Sequence, residues 1–192
     1  APGNTFSDNG HGTAVAGIAA ATTNNGIGIS GLVFNCRFFP MKTSINGRGG
    51  IIYGYQSLLY AAMMGFDVVN CSWGSTSYSC VAQSIIDYVV SRDVAIVGGS
   101  GNHGSSISFY PAGFNGVLGV GVTNYLDTLE TMSSYGTHCK IVAPGTGTWT
   151  TDNNGAYSGF CCTSGASPIV AAAVTLIRAR HPELNARQAL EL

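Results

Sequence analysis

Short stretches of this sequence hold the residue types that acyl-group chemistry uses. His11 stands between Gly10 and Gly12, at the mouth of the small-residue run TAVAGIAAA (13–21). Ser72, Trp73 and Gly74 follow the apolar run 68–71, and Gly99, Ser100, Gly101 and Asn102 follow the apolar run 94–98. Ser164 lies in the turn Cys162-Thr163-Ser164-Gly165 ahead of a long apolar segment, beside the positive end of a helix dipole. In open α/β sheets ligands sit beyond the carboxyl ends of strands. Serine, histidine, an amide donor and a glycine-rich substrate edge are the parts of an acyl-transfer site. Each has a plainer reading alone: helix entry for His11, turn formation for Asn102 and helix capping for Ser164. Jointly, on an α/β frame, they favour catalysis.

The frame that must position them is read from periodicity. Short β-rich runs alternate with segments of helical period, the pattern of βα units and a parallel sheet. Strands are expected at Arg37 to Pro40, Val68 to Cys71, Val94 to Gly98, Val117 to Val122 and Lys140 to Ala143. Helices are expected where Ile52, Tyr55, Leu59, Ala62, Met63 and Phe66 share one face, and where Ile85, Ile86, Val89 and Val90 share another. Thr13 to Ala21 suits a buried helix whose backbone approaches its neighbours. Pro168 to Arg180 is apolar on every face at its start, with Pro168 in the first turn, so it should run through the core. Asn185 with Gln188 forms a capping pair opening a last helix.

The blocks GHGTAVAGIAA around His11, GGSGNHG around Asn102 and CCTSGASP around Ser164 resemble, in this order, the histidine, oxyanion-hole and serine blocks of the subtilisin-like serine proteases, the subtilases. NNGIGISG, MKTSINGRGG, FDVVNCSWGS, YPAGF, GVLGVGVTN and IVAPGT match as well, so the resemblance spans almost the whole chain, 1–192. It implies an α/β, three-layer fold with a central, mostly parallel sheet flanked by helices. It also implies a serine endopeptidase acting on polypeptides: Ser164 as nucleophile, His11 as its general base, and Asn102 as oxyanion donor together with the Ser164 backbone N–H. Gly47, Arg48, Gly49 and Gly50, with Ser72, Trp73 and Gly74, would pair with the substrate backbone as strands. Gly99, Ser100 and Gly101 would line the pocket, which carries no acid, and Trp73 would narrow the edge. NNGIGISG resembles the family's calcium loop, with Asn25 and the carbonyls of Ile27 and Ile29 as ligands. No carboxylate lies in that loop, and an Asn-Gly turn explains it equally. No cofactor is needed for the chemistry itself.

The family's catalytic aspartate, in a D-[ST]-G setting after an upstream strand, has no counterpart in these 192 residues. Asp8 is too close to His11 to take that part. The chain therefore reads as a fragment whose aspartate lies on a missing or separate N-terminal segment, or as an inactive binding module of the same fold. Cys162 stands where the family has glycine, Gly165 where it usually has methionine, and Ile169 where histidine is common. A more distant reading, a dinucleotide-binding module, rests on Gly99, Gly101 and Gly104 in G-x-G-x-x-G; it needs a helix to start there, and SSISFYPAGFNG has no helical period.

Composition bounds the partners. Of the 192 residues 45% are apolar and 9% charged, with Lys plus Arg 8 against Asp plus Glu 9, so no basic stripe invites nucleic acid or anionic lipid. The run IVAAAVTLI falls far short of the ~20 residues that span a bilayer. Glycine, at 27 residues, is about twice its usual share of roughly 7%. Six cysteines, at 36, 71, 80, 139, 161 and 162, form no C-x-x-C pair, which argues against a zinc ribbon. They suggest an oxidising compartment, hence a secreted, cell-surface or periplasmic protein. Only the Cys71 to Cys80 loop looks geometrically cheap to bridge; the same thiols are equally well read as small buried hydrophobes.

Overall fold

The computed structural model describes residues 10–45 and 50–192. Gly47, Arg48, Gly49 and Asp8 lie outside the described residues. The chain runs α1 (His11–Ala20), α2 (Gly54–Met64), β1 (Val68–Cys71), α3 (Cys80–Ser91), β2 (Ala95–Gly99), β3 (Val117–Thr123), β4 (Ile141–Pro144), β5 (Thr148–Thr151), β6 (Tyr157–Phe160), α4 (Thr163–Arg180) and α5 (Ala186–Glu191). Strands β1 to β4 lie side by side in chain order, and every pair is parallel.

Both faces of this sheet are covered, which is why its strands read as near-continuous apolar runs. Ile96, fully buried, joins Val69, Cys71, Val94 and Val117 in a cluster with Leu58, Ala61 and Ala62 of α2 and Ile86 and Val89 of α3. Its neighbours Ala95 and Val97 point the other way, with Val120, Val122 and Ala143, onto Ala166, Val170, Ala171 and Val174 of α4 and Ala186 and Ala189 of α5. The result is three layers, helix on sheet on helix, as expected.

Helix α4 fixes the direction of the molecule. Near its end the Arg178 guanidinium donates to the carbonyls of Asp67 (3.2 Å) and Asp93 (2.7 Å), just ahead of β1 and β2, and pairs with the Asp93 carboxylate at 2.7 Å. The C-terminus of α4 therefore sits at the amino ends of the strands. Its 18 residues span ~27 Å at 1.5 Å per residue, which carries its N-terminus, with Ser164, to the carboxyl ends. The Asn185–Gln188 capping box opening α5 is present in full.

Several boundaries differ from the expectation. Arg37 to Pro40 forms no ladder: all four residues are exposed, and the outer edge of β1 has no strand partner among the described residues. A strand is held by its neighbour's N–H and C=O groups, and 37–40, which pairs with no strand among the described residues, is irregular. Helix α1 begins at His11 because Gly10, at φ 74°, turns the chain into it. The stripe read for α2 is rotated. The helix starts at Gly54, Ile52 and Met63 are 48% and 75% exposed, and Leu58, Ala61 and Ala62 make the buried face. Helix α4 starts five residues before Pro168, which therefore sits in its second turn. The antiparallel β5–β6 hairpin was not expected at all. Its Thr150 and Thr151 hydroxyls donate to the α1 carbonyls of Ala14 (2.7 Å) and Thr13 (2.9 Å), where a Cβ on Gly17 would collide with both hydroxyls.

Candidate active site

Ser164 occupies the second position of α4. The first N–H groups of a helix have no acceptor within it, so the Ser164 amide faces outward by geometry. The carbonyl of Ser164 would normally accept from the residue four ahead, but that residue is Pro168, which has no N–H. The Ser72 hydroxyl takes the vacant place, donating to Ser164 O at 3.0 Å. Ser72 is itself oriented by Asn70 at the end of β1: Asn70 Nδ2 donates to Ser72 Oγ at 2.9 Å, and Asn70 Oδ1 accepts from Ser167 Oγ of α4. Asn70-Cys71-Ser72 is formally a glycosylation sequon, but this engagement of the Asn70 amide argues against its modification. The Ser164 hydroxyl donates to Ser72 O at 3.4 Å, a long contact that a better acceptor displaces.

Asn102 reaches the same turn from the end of β2. Its side-chain oxygen accepts from both the backbone N–H (3.0 Å) and the hydroxyl (2.9 Å) of Thr163. Two donors on the oxygen fix the amide's orientation and leave its N–H donors turned away from Thr163, at the exposed mouth of the loop.

The substrate edges are partly reassigned. Ser100 is fully buried and wholly engaged with its own chain: its N–H donates to Val120 O (2.8 Å), its hydroxyl to Ser134 O (3.0 Å), and its carbonyl meets His138 Nε2 at 3.1 Å. It supports the loop from within. Gly99 and Gly101 are buried too, and the Gly101 carbonyl accepts from Ser134 N at 2.9 Å. Trp73 packs inward, edge-on to Tyr55 at 5.4 Å and against Gly54, because Gly54 leaves room for the indole. Its indole is partly buried there. Gly74 is exposed, and Gly50, at φ 99°, is exposed as well.

His11, the first residue of α1, lies edge-on to Phe160 with ring centroids 5.3 Å apart. Phe160 ends β6 and also lies against Gly165 of α4, whose Cβ position would be 3.5 Å from the ring, and α1 packs along α4. Phe160 thus joins the histidine helix to the serine turn. Burial lowers the pKa of His11 below its ordinary 6.5, so the imidazole is neutral at pH 7.

Cys162 precedes this turn with φ 74° and ψ −175°, a region that is essentially reserved for glycine. Such a residue costs about 1–3 kcal/mol of strain, while glycine's freer unfolded chain costs about 0.4–1 kcal/mol. Cys162→Gly is therefore expected to stabilise the fold by roughly 1–2 kcal/mol, read as a higher urea midpoint with an unchanged slope. A lower midpoint would mean that the thiol's packing outweighs the strain. All six cysteines are free thiols here. Cys71 is packed in the core, its thiol pushed up to about 12 by burial and hence inert, and Cys80 is exposed at the start of α3.

The loop 24–30 surrounds a shallow concavity of about 260 Å³. Asn25 Oδ1 accepts from Ile27 N at 3.0 Å in an Asx turn, and the loop offers only neutral oxygens. No cluster of three metal-binding side chains occurs among the described residues. Neutral carbonyl oxygens are among the donors calcium takes, but the loop adds no carboxylate to them. The dinucleotide reading loses its ground: Gly104 opens bends and turns rather than a helix.

The sequence model of the subtilase family (peptidase S8) matches residues 2–192, and the chain belongs to that family. It is 36% identical over 185 residues to a thermophilic serine proteinase of Bacillus sp. (strain AK1), covering 95% of this chain and 46% of that protein. It is 37% identical over 175 residues to Subtilisin BL of Lederbergia lenta, covering 91% and 65%. Among solved structures, sphericase superposes with a TM-score of 0.89 at 24% identity, covering 97% of this chain and 68% of that one, a likeness of fold. The chain thus spans about half to two thirds of the length of these curated relatives. No helix among the described residues is long and apolar enough to cross a membrane.

Proposed function

We propose that the chain is part of a serine endopeptidase that cleaves polypeptides through an acyl-enzyme. Ser164 is the nucleophile: its hydroxyl attacks the scissile carbonyl while His11, kept neutral by burial, takes the proton. The carbonyl oxygen becomes an oxyanion and accepts from Asn102 Nδ2 and the Ser164 N–H at the start of α4. His11 then returns its proton to the leaving amine, the peptide bond breaks, and water repeats the sequence on the ester. Gly50, Ser72 and Gly74 pair with the substrate backbone, together with Gly47, Arg48 and Gly49. The observation that carries this reading is the double hold of Thr163 on the Asn102 oxygen, which presents the amide donors beside the serine.

The aspartate that orients His11 belongs to a segment outside residues 1–192, because no D-[ST]-G occurs within them. The open outer edge of β1 is a place where a strand carrying it can add in parallel. The low charge, absent basic stripe and subtilase kinship favour a protein that works secreted, at the cell surface or in the periplasm, without nucleic acid or membrane as partner.

The test is a fluorophosphonate probe applied to the full-length protein. Covalent labelling that Ser164→Ala abolishes is the expected result. A folded protein that stays unlabelled at every pH is instead an inactive binding module, the reading that the missing D-[ST]-G favours.

A further inference from the structure

The loop that presents Asn102 is held from behind by residues 133–138. Ser134 accepts the Ser100 hydroxyl at its carbonyl (3.0 Å), donates its own N–H to Gly101 O (2.9 Å) and accepts the His103 N–H at its hydroxyl (3.2 Å). Beside it His138, 4% exposed, reaches the Ser100 carbonyl through Nε2 at 3.1 Å. A carbonyl only accepts, so Nε2 must carry the proton. The other ring nitrogen, Nδ1, is buried with no hydrogen-bond partner among the described residues. The Ser105 hydroxyl, on the same seam, is buried and unpartnered too. Fold stability alone does not account for a buried imidazole that leaves one nitrogen unpaired; an apolar side chain would fill the space without desolvating Nδ1. What the imidazole adds is one directed N–H, aimed at the residue two places before Asn102.

We propose that His138 is a positioning residue: its Nε2–H holds the Ser100 carbonyl and thereby sets the depth at which Asn102 stands over the Ser164 turn. This rests on reading Asn102 as the oxyanion donor. Among the described residues the Ser100 carbonyl has no other donor on it, whereas the N–H and hydroxyl of Ser100 are already tied to Val120 and Ser134. Loss of the His138 bond therefore frees the peptide between Ser100 and Gly101 to rotate, and Gly101, at φ 102°, offers no side chain to resist it. A donor displaced by a fraction of an ångström is felt mainly in the transition state, because the oxyanion is where its charge is needed.

The experiment compares wild type, His138→Leu and His138→Gln in the full-length protein by steady-state kinetics on a peptide substrate, thermal melting and amide hydrogen exchange. His138→Leu is expected to lower kcat roughly 10-fold, with KM within about twofold and Tm unchanged or higher, since complete loss of such a donor costs about 10²–10³. The amides of Ser100, His103 and Gly104 are expected to exchange faster. His138→Gln, which restores an N–H at comparable reach, is expected to recover most of kcat and the protection. Unchanged kcat and exchange in His138→Leu, or a loss of kcat that merely follows a fall in Tm in both variants, overturns the proposal. If the wild type proves catalytically silent, it is the protease reading that fails, and the exchange of these three amides still decides whether His138 holds the loop.

Discussion

Asn102→Leu is expected to lower kcat by about 10²–10³ while leaving KM close to its original value. That size is taken over from the measured loss of an oxyanion-hole amide in a subtilisin rather than computed from this geometry. The direction follows from the structure. Leucine keeps the bulk of the side chain but removes the N–H donors, and charge on the carbonyl oxygen develops only as Ser164 attacks. A contact used only in the transition state lowers kcat and kcat/KM together when it is removed. The substitution has a second effect, because the Thr163 N–H and hydroxyl lose their shared acceptor. A buried donor left unpaired costs about 1–3 kcal/mol, so a lower unfolding midpoint should accompany the kinetic loss. The two effects separate by assaying well below the melting temperature. A folded Asn102→Leu enzyme with kcat within threefold of wild type would remove Asn102 from the mechanism.

Supplying the segment that bears the D-[ST]-G aspartate, fused upstream of Ala1 or added as a separate strand, is expected to raise kcat/KM by about 10⁴. This magnitude too is carried from another serine protease in which the aspartate was neutralised. Its cause is visible in the direction of the His11 shift. Burial lowers the pKa of His11, so the imidazole is free of its proton at neutral pH and, as the proposed general base, would hold poorly the one it takes from Ser164. A carboxylate beside the ring reverses the sign, stabilising the imidazolium and raising the pKa. NMR titration of His11 should therefore inflect below 6.5 in the 192-residue chain and move upward once the segment is present. An inflection that stays put, with no gain in rate, would place the acid elsewhere.

The sequence carries the site better than it carries the supports of the site. His11, Asn102 and Ser164 stand out because acyl transfer restricts residue type, and their neighbours are restricted in turn by backbone approach. The strands β1 to β4 are legible because a sheet buried on both faces must be apolar without interruption. What escapes is what depends on partners far along the chain. Pro168 looks like a first-turn proline only until Ser72, 92 residues before Ser164, is found donating to the carbonyl that Pro168 cannot serve. The β5–β6 hairpin had a local signal in Asn153-Asn154-Gly155, whose glycine stands at φ 73°. Its strands are short and polar, so they carry no clear period, and Phe160, which links His11 to the serine turn, lies at the end of one of them. Ser100 and Trp73 sit in the right loops, but no periodicity tells that their side chains point into the protein. His138 carries no local signal, because its one bond goes to a backbone carbonyl 38 residues away.

If the proposed endopeptidase reading holds, the central helix α4 ties activity to the completion of folding. Ser164 reaches its place only when α4 has threaded along all four parallel strands and Arg178 has closed on Asp67 and Asp93 at the far end. The participating side chains come from positions 11, 102 and 164, contacts of long sequence separation that form late in folding. A nascent or half-folded copy therefore has a serine, a histidine and an amide but no catalyst. On the protease reading, hydrolytic power would arrive together with the packed interior that resists it, and newly made copies would be shielded from one another during the interval when their backbones are most digestible.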